Sequence, residues 1–147
     1  MIKFAKERVN LICNQLKGWS IVQKVHLDSM RVKEGCFITP TEADAAPGEW
    51  KNFDMGKDHW YGPDRHYWFR TEVTVPESFD GKELWLRIHT GLNDWDDGRN
   101  PQFLLFINGQ VIQGLDINHR EVFVKANAKA GETFRMDLQS YTGTLHD

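Results

Sequence analysis

The dipeptide Asn108-Gly109, set between Phe103-Leu104-Leu105-Phe106-Ile107 and Gln110-Val111-Ile112, constrains this chain more than any other feature. Both residues tolerate positive φ, which a two-residue hairpin turn requires if its twist is to match that of the flanking strands. The run before the turn is apolar at every position and so describes a strand covered on both faces. Other runs keep a period of two. His66 to Val75 sets Tyr67, Phe69, Thr71, Val73 and Val75 on one side and His66, Trp68, Arg70, Glu72 and Thr74 on the other, until Pro76 closes it. After the turn residues Phe79-Asp80-Gly81-Lys82, Leu84, Leu86 and Ile88 again alternate inward. Glu121 to Lys125 and Thr133 to Leu138 read as two more strands, separated by a linker from Ala126 to Gly131. Short strands with turn chemistry between them predict a mainly β chain, an antiparallel β-sandwich of the jelly-roll kind.

The opening segment has a different period. Ile2, Ala5, Val9, Ile12, Cys13 and Leu16 recur on one helical stripe, Lys3, Lys6, Glu7, Asn10 and Asn14 lie off it, and Gly18 supplies a stop. The division is therefore an amphipathic α-helix over residues 1–18 and a sandwich domain over 19–147. The stripe needs cover, either from the domain's own sheet or from polypeptide outside this chain. Between Thr39 and Pro63 the residues Ala43, Ala45, Ala46, Pro47, Gly48 and Gly56 show little alternation, so the expectation is a long loop over the sheet, pinned by Trp50, Phe53, Trp60 and Tyr61.

A chain of 147 residues removes roughly 68–70% of its unfolded surface from water, enough for a core without metal or disulfide. No apolar run approaches the roughly 20 residues of a bilayer span, and the first residues lack a secretory signal, so the expectation is a cytoplasmic protein without a membrane role. Cys13 and Cys36 form no CxxC pair and read as two free buried thiols. The net charge of -3 divides into about +4 up to Cys36 and about -7 beyond it. Scattered lysines on an acidic total make no dense basic face, which argues against nucleic acid as a partner.

Tryptophan is abundant, at six residues. Flat aromatic faces stack on the C–H faces of sugars while Asp, Asn, Arg and Gln bond the hydroxyls, so Trp beside polar loops suggests carbohydrate contact. Trp68 and Trp85 sit inside strand patterns and read as core or interface. Trp95, with Asp96, stands in the acidic loop Asn93 to Asn100, which lacks the ligand spacing of a calcium hand and reads as a solvated turn. His59 with Asp64 and His66, or Asp116 with His119, falls short of the convergent ligands zinc requires. Nucleophile elbows, P-loops and dinucleotide fingerprints are absent. The reading therefore assigns this chain no catalytic residue, metal ligand or cofactor.

Tyr67-Trp68-Phe69-Arg70-Thr71, Gly81-Lys82-Glu83-Leu84-Trp85-Leu86, Asn100 to Gly109 and Gly114-Leu115-Asp116-Ile117-Asn118-His119-Arg120-Glu121 together resemble the N-terminal domain of α-mannosidases of glycoside hydrolase family 38, in the cytosolic and bacterial branch. The Phe-Arg strand followed by an Asn-Gly hairpin is more loosely similar to the galactose-binding-like jelly roll. The resemblance implies a larger enzyme with a catalytic α/β barrel after this domain, a zinc ion held there by His and Asp, and an Asp nucleophile in a retaining mechanism. None of those motifs matches a position here, and the expectation is an excised amino-terminal part of such an enzyme. Two tasks then compete for the domain itself. It serves packing and assembly, against the barrel of the same polypeptide or a sister subunit in a homo-oligomer. Alternatively it contacts oligosaccharide through the loop residues Trp95, Asp96, Asp116, Asn118 and His119.

Overall fold

Apolar alternation obliges each strand to bury one face, and the computed structural model, which describes residues 5–89 and 101–143, resolves this into two stacked antiparallel sheets. Helix α1 (Ala5–Ser20) leads to β1 (Ser29–Glu34), the short helix α2 (Pro40–Ala45) and β2 (Lys51–Asp54). Then come β3 (His66–Thr74), β4 (Leu84–Arg87), β5 (Gln102–Ile107), β6 (Gln110–Leu115), β7 (Glu121–Lys125) and β8 (Thr133–Tyr141). Six strands form one sheet in the order β2-β1-β3-β8-β5-β6, and β4 pairs with β7 in the second. The expected antiparallel β-sandwich is thus the fold.

The long pair β3–β8, in register from His66↔Tyr141 to Thr74↔Thr133, is the spine of the larger sheet. The hairpin turn lies where the dipeptide placed it, with Asn108 at φ 50° and Gly109 at φ 82°. Asn108 does more than turn: its backbone N–H donates to Arg135 O at 2.8 Å and its Oδ1 accepts the Arg135 N–H at 2.9 Å, fastening the hairpin to β8.

One face of the large sheet packs on β4–β7. Met30, Phe69, Phe103, Leu105, Met136 and Leu138 meet Val122, Leu86 and Ile88, and Leu105 is fully buried. Trp60 enters this layer edge-on, with ring centroids 5.2 Å from Phe69, 5.6 Å from Tyr67 and 5.7 Å from Phe103. Burial of this kind supplies about 25 cal/mol per Å² of apolar surface removed from water.

The opposite face is closed too, by α2. Trp68 and Phe106 pack with Ala43, and Leu104, Phe37 and Trp50 border them. Helix α2 starts at Thr39, whose hydroxyl accepts the Glu42 N–H at 3.2 Å, with Pro40 at the first helical position and the Glu42 carboxylate accepting the Ile38 N–H at 2.9 Å. That is capping-box chemistry compressed onto a six-residue helix. At its other end the buried Lys33 Nζ donates to Ala43 O and Ala46 O, both at 2.7 Å, satisfying carbonyls that a helix terminus leaves open.

Several expectations change. The stretch read as one long loop contains α2 and β2, and β1 precedes it. The fragments 66–75 and 83–89, adjacent in sequence, belong to different sheets. The stripe of α1 does not lie on the domain's sheet: its described side chains are exposed, including Val9, Ile12 and Leu16. The two cysteines are exposed rather than buried, because Cys13 rides on that uncovered helix and Cys36 sits in the bend after β1. Among the described residues no helix is long and apolar enough to cross a membrane.

Candidate functional site

The residues from Asp116 to Arg120 link β6 to β7 across the edge of the sandwich. Leu115 is buried at the end of β6, so the chain must reverse at once, and Asp116 supplies the means. Its Oδ1 accepts the backbone N–H of Asn118 at 2.8 Å and of His119 at 2.7 Å, an Asx turn, and lies 3.0 Å from His119 Nδ1. Desolvation pushes the Asp116 carboxyl up, but the His119 and Asn118 N–H groups outweigh it and hold the group below the usual carboxylate range. Arg120 Nε donates to Ile117 O at 2.8 Å, which fixes the guanidinium beside the turn.

Behind the turn is a shallow recess where the ends of β4, β5 and β6 meet, lined by Ile88, Pro101, Phe103 and Leu115 with Asp116 and Arg120 as its charged members. Its volume of about 10 Å³ admits a water-sized group and no sugar ring, so a larger polar ligand would meet Asp116 and Arg120 only at its rim. Among the described residues the recess holds no nucleophile and no carboxyl pair at the spacing of a glycosidase. Of the sequence candidates, Asp116, Asn118 and His119 come together in this one turn; Trp95 and Asp96 lie outside the described residues.

His59, Asp64 and His66 do not converge as a ligand set. Asp64 Oδ1 accepts the Tyr141 hydroxyl at 3.0 Å, His66 stacks against Tyr141 with ring centroids 4.8 Å apart, and His59 stands on an exposed loop. Among the described residues no three His, Cys, Asp or Glu side chains converge to hold a metal ion.

A second polar constellation went unread in the sequence. On the large sheet's α2 face, Arg70 bonds both Asp137 and Asp44 and lies over the Trp50 ring at 4.2 Å. Asp137 is fully buried, and its other oxygen faces Arg135 Nε at 2.9 Å as a charge contact rather than an aligned hydrogen bond. The Arg70 hydrogen bond holds the Asp44 carboxyl below the usual range. Burial works against the Arg70 charge, yet its bonds to Asp44 and Asp137 raise its pKa. Each charge here has a protein partner, so the cluster cements α2 to the sheet.

Trp85, read as core or interface, does not belong to the core. It is 55% exposed on the outer side of β4–β7 beside Phe123, which is 44% exposed. The signal was present, since Leu84 and Leu86 point inward and their neighbour must point out.

No protein-family model and no curated protein matches the sequence. Among solved structures, the chain is similar to those of a glycoside hydrolase. These are structures of β-glucuronidase from Ruminococcus gnavus: one matches 78% of this chain and 20% of its own at 14% identity and a TM-score of 0.46. The apo enzyme matches 83% of this chain and 23% of its own at 12% identity and a TM-score of 0.43. Its complex with D-glucaro 1,5-lactone matches 85% and 24%, at 12% identity and a TM-score of 0.44. The chain thus spans about a fifth to a quarter of the length of the proteins it matches.

Proposed function

We propose that this chain is a non-catalytic accessory domain of a glycoside hydrolase and that its own task is packing and assembly. The sequence resemblance makes the parent a zinc-dependent retaining α-mannosidase, cytoplasmic, acting on terminal α-mannosides. The observation that carries the assembly role is α1. Val9, Leu11, Ile12 and Leu16 are each more than half exposed, as are Val22 and Val25 just after the helix. An isolated helix of this length is marginal in water, and its apolar stripe stabilises nothing until another surface covers it. The catalytic barrel of the same polypeptide is the partner on this reading, a sister subunit the alternative. The zinc and the nucleophile would belong to that barrel.

Two measurements test the proposal. The purified chain should bind the dye ANS, and Ile12→Asp with Leu16→Asp should remove most of that binding while the sheet stays folded. ANS binding that is absent, or unchanged in the double variant, contradicts an uncovered assembly face. The chain should also give no turnover of an activated α-mannoside with or without zinc, and any protein-dependent turnover contradicts the non-catalytic reading.

A second reading, contact with mannosides through the edge loops, is favoured by the Asx turn and recess at Asp116–Arg120. Titration with short mannosides should then quench tryptophan fluorescence saturably, and Trp95→Ala should abolish the response.

A further inference from the structure

The outer face of the β4–β7 sheet carries side chains that neither reading uses. Trp85 and Phe123 are opposite each other in the register, with ring centroids 5.4 Å apart and planes at 71°. The next rung on the same face pairs Arg87 with Glu121. A pure solvent face would carry polar or β-branched residues at these positions; leaving two large rings half in water forgoes the stabilisation their burial would bring. The indole is also held. Trp85 Nε1 donates to Glu83 Oε2 at 3.2 Å, which fixes the ring plane on the sheet.

We propose that this face is a sugar-binding platform, on which one pyranose unit of an oligosaccharide stacks over Trp85 and bonds to Arg87 and Glu121. The faces of aromatic rings are electron-rich and attract the weakly positive C–H groups on the apolar side of a pyranose chair. The hydroxyls around its rim need alternating donors and acceptors. Arg87 and Glu121 supply them side by side: one carboxylate oxygen, Oε1, takes both guanidinium contacts from Nε and Nη2, which among the described residues leaves Oε2 to accept and Nη1 to donate. Same-face rungs stand about 7 Å apart along a strand, about the reach of one sugar ring with its hydroxyls.

Area argues against a protein occupant. Strands of four and five residues offer two rungs of outward side chains, well short of the roughly 800 Å² per partner of a stable protein interface. The charges on the same two strands, Arg87, Glu121 and Lys125, with Glu83 just before β4, also make the rim polar, as small-ligand sites require. The platform is distinct from the α1 stripe and from the Asx turn at Asp116, so it stands or falls separately from the assembly role and from loop contact.

The test is a ¹H–¹⁵N NMR titration of the whole chain with mannotriose and, separately, cellotriose. The Trp85 indole N–H and the amides of 84–87 and 121–125 should shift saturably, with a dissociation constant of about 1 mM for the better probe. Trp85→Ala should weaken binding at least about tenfold, Trp85→Phe should keep part of it, and Glu121→Gln should weaken it less than Trp85→Ala. The spectrum of each variant reports its own folding, so lost binding in a folded variant supports the platform. Absence of saturable shifts with both sugars up to about 50 mM overturns it. Shifts confined to residues 116–119 also overturn it, in favour of the loop. Concentration-dependent shifts around Trp85 without sugar overturn it in favour of a protein interface.

Discussion

Both faces of the six-stranded sheet carry a buried core at its central strands, yet the two are closed by opposite means. Toward β4–β7 the sheet presents Phe69, Phe103, Leu105, Met136 and Leu138, and the contact is apolar but for the buried Ser140 in register with Tyr67 and Phe103. Toward α2 it presents Trp68 and Phe106 within a field of charge: Lys33 caps the helix, and Arg70, Arg135, Asp44 and Asp137 form one ion cluster. The apolar face tolerates volume-conserving repacking, whereas the charged face specifies one position for α2, because displacing the helix takes the Ala43 and Ala46 carbonyls from the buried Lys33 ammonium and Asp44 from Arg70.

Breaking the charged face should therefore have the larger effect. Asp137→Ala strips the buried carboxylate from Arg70 and Arg135 and should destabilise by about 3–5 kcal/mol in urea unfolding. Replacing Arg70, Arg135 and Asp137 together by Met, Met and Leu should recover most of that loss, a rescue the apolar face does not offer. Leu105→Ala, at the centre of the apolar face, should cost about 2–4 kcal/mol through the cavity it leaves. Lys33→Met keeps the buried stem but abandons the Ala43 and Ala46 carbonyls, for about 1–3 kcal/mol, and should loosen α2 selectively in hydrogen exchange. The smallest effect is that of pH on Asp44. Its folded pKa lies below the unfolded value near 3.9, so its contribution is present above about pH 4 and fades as pH falls through the folded pKa. Its carboxylate is 43% exposed, so screening leaves less than about 1 kcal/mol, and Asp44→Asn should flatten the acid limb of the stability curve by no more than that.

The same contrast explains what the sequence disclosed. Alternation located β3 and β4 because their inward residues are apolar, a continuous apolar run located β5, and Asn108-Gly109 located the hairpin because few residue pairs accept its dihedral angles. Pattern reading assigns charge to solvent, and so it passed over β1, whose Lys33 is buried by the carbonyls it caps, and gave Arg70 no structural role. Helix α2 was hidden by its length: six residues span fewer than two helical periods, too few for a repeating stripe, although Thr39-Pro40-Thr41-Glu42 spelled its start. Among the site residues, Asp116, Asn118 and His119 were legible as loop residues, while the Asx turn that joins them appears only in the structure. The Trp85–Phe123 pair depends on the register between two distant strands, which no window of sequence contains.

The reading of this chain as an assembly domain rests on α1 awaiting a surface outside the described sandwich. Hydrogen exchange on the dilute monomer measures that most directly. The amides of α1 should exchange nearly as fast as in an unstructured peptide, while those of β3, β5 and β8 stay protected up to the global unfolding free energy. Protection of α1 comparable to that of β8 in the monomer would contradict the account, because the stripe of Val9, Ile12 and Leu16 would then be packed on this domain's own core.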